Sequence, residues 1–160
     1  MFTDLVDSTA LATRVGPEAA EALRREHFDL LRGALADHGG REVKNLGDGL
    51  MVVFERASAA VAGGIAIQQA IELRNRRVAA EGAPELSVRV AISAGEADRE
   101  GDDVFGPPVV EAARLCGVTD GGQILVSEVV PVLIGRRGRR RTGQRCSNRP
   151  PAPLAPRTTC

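Results

Sequence analysis

Two aspartates stand where neither core nor turn geometry demands a carboxylate. Asp4 directly follows the short apolar start "MFT", and Asp48 occupies the tip of a Gly47-Asp48-Gly49 turn in "EVKNLGDGLMVVF". Two carboxylates brought to one place can hold divalent cations, which take oxygen ligands and leave positions open for substrate phosphates. Between them, "DLVDSTALA" supplies Ser8, Thr9 and several backbone N–H groups at the entrance of a short helix, an arrangement that suits phosphate oxygens. Four residues before Asp48 stands Lys44, the one lysine in a chain with 21 lysine and arginine residues. An ammonium is a compact donor and a guanidinium a wide fork, so the two are not interchangeable where a single ligand atom must be reached. Each piece alone has an ordinary explanation, since Asp-Gly favours hairpin turns and Ser or Thr often caps helices. Their combination points to a cation- and phosphate-binding end of a sheet.

For Asp4 and Asp48 to meet, the first strand stub and the hairpin must be neighbours in that sheet. The segment "PEAAEALRREHFDLLRGALADHGG" opens with Pro17 and Glu18, places Leu23, His27, Leu30, Leu31, Ala34 and Leu35 on one face, and stops at Gly39-Gly40. That pattern predicts a helix. "REVKNL" and "LMVVFE" predict two strands joined by the Gly-Asp-Gly turn. "ASAAVAGGIAIQQAIELRNRRVAAEG" predicts a second helix with Ala62, Ile65, Ala66, Gln69 and Leu73 near one stripe. "LSVRVAISAGEA" alternates Val88, Val90, Ile92 and Ala94 as a strand does. "PPVVEAARLCGV" predicts a helix with proline in its first turn, "QILVS" a strand and "EVVPVLI" a short helix. The order β-α-β-β-α-β-α-β-α contains a β-α-β-β-α-β core. The predicted fold is therefore α+β and ferredoxin-like, with helices on one face of a mainly antiparallel sheet. His27 and His38 fall on the first long helix, where packing and solvation account for them without chemistry.

The chain's 160 residues suffice for one core without metal or disulfide staples. With only 4 Phe and no Trp or Tyr, that core must rest on Val, Leu, Ile and Ala. Three cysteines, Cys116, Cys146 and Cys160, form no metal-ligand spacing and fit a reducing compartment. The acidic start "MFTDLVDSTA" lacks the regions of a signal peptide, and the apolar run around Ala59 to Ile67 is too short to cross a bilayer. A cytoplasmic, membrane-free protein is the expectation. The formal net charge of zero hides a split: residues 1–134 hold all 21 acidic residues, whereas residues 135–160 hold arginines and no acid. That second stretch, rich in proline and poor in large apolar residues, is expected to be a disordered tail, with the domain boundary near Gly135.

The segments "FTDLVDST", "KNLGDGLMVVF" and "GDDVFGPPVVEAARL", in this order and spacing, resemble the class III adenylate/guanylate cyclase catalytic domain. The resemblance runs from residue 2 to about 130. It implies that Asp4 and Asp48 bind two Mg²⁺ or Mn²⁺ ions per active site and that Ser8 and Thr9 lie at the phosphates. It implies that Lys44 selects the purine, a lysine favouring adenine through N1, and that Asp103 accepts from the adenine N6 amino group. Arg114 matches the arginine that stabilises phosphate charge in the transition state. The implied substrate is ATP, the product 3′,5′-cyclic AMP with pyrophosphate. The implied assembly is a homodimer in which one chain supplies the metal aspartates and the other the purine pair and the arginine.

Three departures from the family pattern qualify that expectation. Val110 stands where the family has an asparagine that donates to the ribose oxygen, and losing one such donor costs on the order of 10²–10³ in rate. After Ile134 the composition turns abruptly to Arg, Pro and Gly, where the family has a further strand pair with a phosphate-binding lysine. A shifted reading frame would produce such a change, which the coding DNA read in its other frames would test. The first strand begins only two residues before Asp4, so a frayed, weakened metal site is expected. Impaired turnover is the natural expectation. Two alternatives accompany the cyclase reading: a catalytically inactive homologue that binds nucleotide or a partner, and a nucleic-acid binder acting through the arginine-rich tail. The tail has no aromatic residue for base stacking and follows an acidic domain, so nucleic acid is not the expected partner.

Overall fold

The computed structural model describes residues 1–135, so the tail expected beyond Gly135 lies outside the described residues. Seven strands run β1 (Phe2–Leu5), β2 (Arg41–Asn45), β3 (Leu50–Val53), β4 (Val88–Ile92), β5 (Asp98–Glu100), β6 (Asp103–Phe105) and β7 (Ile124–Val126). Five α-helices intervene: α1 (Ser8–Val15), α2 (Pro17–Ala36), α3 (Ala57–Val78), α4 (Pro107–Val118) and α5 (Val129–Ile134). The main sheet has the order β2-β3-β1-β4-β7. Strand β1 is antiparallel to both β3 and β4, and β7 joins β4 in parallel. This is the expected ferredoxin-like α+β core with one strand added at its edge.

One sheet face carries Thr3, Leu5, Val52, Val88, Val90 and Ile92, buried against Phe28, Leu31 and Leu35 of α2 and Ile67 and Ile71 of α3. Each large side chain buried in this way contributes about 1.5–3 kcal/mol, which is how a core nearly free of aromatics holds. The opposite face presents Asp4 and its register partner Arg89, with α4 packed against β1, β4 and β7.

The first strand differs from its expectation. It does not end before Asp4 but contains it, and it is not frayed. The Met1 nitrogen donates to the Val52 carbonyl at 2.8 Å, and the Val52 N–H donates back to the Met1 carbonyl at 2.9 Å. A strand paired on both sides has a rigid frame even when it is four residues long.

The stripe expected on α3 is also the wrong one. Ile65 is 44% and Leu73 71% exposed, whereas Ala60, Gly63, Gly64, Ile67, Ile71 and Arg74 face inward. Two glycines select that side by letting the helix close on its neighbours. A Cβ on Gly64 would lie 3.3 Å from Val90 Cγ1, and one on Gly63 3.1 Å from the Phe54 ring. Arg74 is buried because its guanidinium donates to Glu26 Oε2 at 3.0 Å and to the Pro84 carbonyl. The hairpin of β5 and β6 was not expected at all; its strands are three residues long, mostly exposed and charged, so no apolar alternation announces them.

The β2–β3 hairpin forms as expected, with one irregularity. Glu42 pairs with Val52 and Lys44 with Met51, so two steps on β2 oppose one on β3, and Val43 is the extra residue of a β-bulge.

Candidate active site

The hairpin tip is held against β1 by two hydrogen bonds and closed on itself by a third. The Leu5 N–H donates to the Asp48 carbonyl at 3.0 Å, the Leu50 N–H to Thr3 Oγ1 at 2.9 Å, and the Leu46 N–H to the Gly49 carbonyl at 2.9 Å. Gly49 makes the closest approach: a Cβ there would lie 1.8 Å from the Thr3 carbonyl oxygen, so no other residue fits without moving β1 or the hairpin. Gly47 turns the chain at φ 101°, in the left-handed region.

These clamps bring the Asp4 and Asp48 carboxyl groups close enough for the charge of Asp48 to act on Asp4. Burial pushes the Asp4 pKa up, and the negative charge of Asp48 adds to it, while Arg89, 3.1 Å from Asp4 Oδ2, opposes the rise. Ser8 Oγ donates to Asp48 Oδ2 at 3.0 Å. Ser8 also opens α1 after Asp7, the one non-glycine residue with positive φ among the described residues. Thr9 follows on the first turn and, with Ser8 and Asp48, lines a cavity of about 520 Å³ under α1. The first-turn N–H groups of α1 have no intrahelical acceptor, as at every helix start.

The donor set fits divalent cations completed by substrate. Among the described residues no group of three or more His, Cys, Asp or Glu side chains encloses an ion. Magnesium commonly uses one or two carboxylates, filling its remaining positions with water and phosphate oxygens. Asp4 and Asp48, both half-exposed, are such a pair.

Lys44 and Asp103 meet across β2 and β6, Nζ to Oδ2 at 2.6 Å, with the Lys44 ammonium 5.7 Å from the Phe105 ring centroid. Asp103 Oδ1 also accepts the Val104 N–H at 2.8 Å. The Lys44 ammonium and then this backbone N–H hold the Asp103 carboxyl below the usual range. Arg114 stands apart. It is exposed on α4 and has no hydrogen-bond or ion-pair partner among the described residues. Val110, one turn earlier, is 49% exposed.

The site residues read from the sequence thus fall into a carboxylate cluster of Asp4, Asp48 and Ser8, a donor–acceptor pair of Lys44 and Asp103, and a separate Arg114. Two neighbours were missed. Arg89 shows itself as a lone arginine between the buried Val88 and Val90, pointing to the other face. His27 was assigned to packing; its Nε2 in fact lies 3.2 Å from the Asp48 carbonyl oxygen. Only its place on an apolar helix face hinted that it might be buried and bonded.

The same frame recurs in known proteins. Residues 1–151 match the family model of the adenylate and guanylate cyclase catalytic domain. The chain belongs to this class III cyclase family. An adenylate cyclase of Mycosarcoma maydis is 37% identical over 86% of the chain, which spans 6% of that relative's length. A putative adenylate cyclase of Rhizobium meliloti is 34% identical over 80% of the chain, which spans 22% of it. Among solved structures, the guanylyl cyclase Cya2 aligns with a TM-score of 0.72 at 25% identity, covering 85% of this chain and 77% of that one. The adenylyl cyclase CyaB from P. aeruginosa aligns at 0.71 and 24%, covering 83% and 77%. Among the described residues of this cyclase domain, no helix is long and apolar enough to cross a membrane.

Proposed function

We propose that this cyclase domain is of the adenylate type and converts ATP to 3′,5′-cyclic AMP and pyrophosphate at a homodimer interface, with two divalent ions per site. The observation that carries the base preference is the Lys44–Asp103 pair, closed at 2.6 Å on two hairpins. Adenine presents an acceptor at N1 beside a donor at N6; an ammonium and a carboxylate side by side complement that edge and mismatch guanine. Likeness in fold does not choose the base, because a guanylyl cyclase and an adenylyl cyclase align about equally well. The adenylate cyclases among the sequence relatives support the same choice.

Asp4 and Asp48 would hold Mg²⁺ or Mn²⁺. Such ions lower the pKa of the ribose 3′-hydroxyl and neutralise triphosphate charge. Ser8, Thr9 and the α1 N–H groups orient the phosphates. The Arg89 guanidinium adds positive charge beside Asp4. As the 3′-oxygen bonds to the α-phosphorus and the bond to pyrophosphate breaks, charge grows on the phosphoryl oxygens. Arg114 is suited to meet it, being exposed and without an ion-pair partner among the described residues. A second copy that delivers Lys44, Asp103 and Arg114 to the first copy's Asp4 and Asp48 completes the site.

Val110 favours one competing reading, a nucleotide-binding homologue without turnover, since valine cannot donate to the ribose oxygen. The deciding experiment is cyclic AMP production by the purified chain with ATP and Mn²⁺, with GTP as second substrate and Asp48→Ala as control. The expected result is slow, Asp48-dependent formation of cyclic AMP with ATP preferred. Folded protein with no activity above the control would move the reading to a cyclase homologue without turnover, with nucleotide binding the property to measure next.

A further inference from the structure

His27 is the buried polar group that packing leaves unexplained. It sits fully buried on α2 against Phe28, with ring centroids 5.0 Å apart. Its Nε2 reaches the Asp48 carbonyl oxygen at 3.2 Å, the same oxygen that accepts the Leu5 N–H at 3.0 Å. A carbonyl oxygen has two lone pairs; here one partner comes from β1 and the other from α2. The peptide from which Asp48 projects is therefore fixed from both the sheet and the helix layer.

A carbonyl oxygen can only accept, so Nε2 carries the proton that is shared with it. Nδ1 has no partner among the described residues. A buried ring nitrogen without a partner is unfavourable, and a leucine would fill this part of the core without it. The bond to Asp48 is what the imidazole offers and a leucine does not.

We propose that His27 is a positioning residue for the carboxylate pair: by donating from Nε2 to the Asp48 carbonyl, it fixes the peptide from which Asp48 reaches toward Asp4. Ser8 holds the Asp48 side chain, and His27 holds its backbone. This inference rests on the two-ion reading above. Groups that orient metal ligands typically change affinity about 10–100-fold when removed.

The test uses the full chain with His27→Leu, which fills the space without a donor, and His27→Gln, whose side-chain N–H₂ restores one. The first readout needs no metal: amide hydrogen exchange at residues 46–50. Exchange at the tip is expected to rise about tenfold or more in His27→Leu, with β4 unchanged, and to return toward the parent rate in His27→Gln. The second is Mn²⁺ binding, followed by the electron paramagnetic resonance of the free ion, with Asp48→Ala as control. Affinity is expected to fall about tenfold in His27→Leu and to recover in His27→Gln. Unchanged tip exchange in His27→Leu overturns the proposal, as does a Mn²⁺ affinity equal to the parent's alongside a lowered melting temperature. His27→Gln behaving like His27→Leu in both readouts overturns it too. Parent protein binding Mn²⁺ no better than Asp48→Ala would bring down the two-ion reading, and the role of His27 with it.

Discussion

The Asp4–Asp48 pair and the Lys44–Asp103 pair differ in how far each is settled without ligand. Asp4 and Asp48 are clamped through their backbones, yet burial and the charge of Asp48 raise the Asp4 pKa. Lys44 is exposed and Asp103 half-buried on their hairpins, yet their charges satisfy each other, and the Asp103 pKa is lowered. The first region is rigid and electrostatically open; the second is electrostatically closed and must release its own ion pair to admit a base. On the proposed reading, cation binding would use a site prepared in advance and base recognition one that exchanges partners.

The largest effect expected from breaking this contrast is that of Asp48→Asn. The amide still accepts from Ser8 but removes one charge of the pair. Cyclic AMP formation should fall to background, while the metal-free melting temperature rises by roughly 1–2 °C, a small gain because half-exposed charges are screened. A lower melting temperature would show that the pair carries no repulsion. Next in size is Val110→Asn. Val110 is half exposed, so the change should leave stability nearly untouched. It should raise kcat about 10²-fold with little change in KM. No gain would mean that this helix does not face the reacting ribose.

The smallest effect is a titration order. Asp4 has a folded pKa above its unfolded value, so ionising it costs stability as pH rises through that window. Asp103 has one below, so its pairing contributes fully above the unfolded value near 3.8 and is lost as pH falls through the lowered folded value. Carboxyl carbon shifts followed by NMR during acidification should show Asp4 taking up its proton first and Asp103 later. The reverse order would erase the contrast between the two regions.

Much of this was legible in the chain because periodicity reports burial. The alternation of Val88, Val90 and Ile92 located β4, and Gly47-Asp48-Gly49 located the hairpin that carries Asp48. What escaped was whatever depends on close approach or on polar groups in apolar places. Gly63 and Gly64 count as nothing in an apolar stripe, yet they set the buried side of α3. Arg74 counts as solvent-facing, yet Glu26 and a carbonyl bury it. Arg89 and His27 carry no motif, and their partners, Asp4 and the Asp48 carbonyl, are distant in sequence. The β5–β6 hairpin is too short and polar to leave a pattern, although Asp103 was found on it through family likeness.

The single extra residue in β2 acts as a parity switch. Residues two apart on an unbroken strand emerge on the same side, yet Glu42 reaches back to Arg32 of α2 at 2.8 Å while Lys44 reaches forward to Asp103. Val43 supplies the half-turn between them. Pairing β2 without the bulge, with Val43 opposite Met51, would set Lys44 opposite Leu50 and send its ammonium toward the helical layer. The hairpin would gain regularity and lose the contact between Lys44 and Asp103, so the irregular step in the strand is what brings the proposed base-reading pair together.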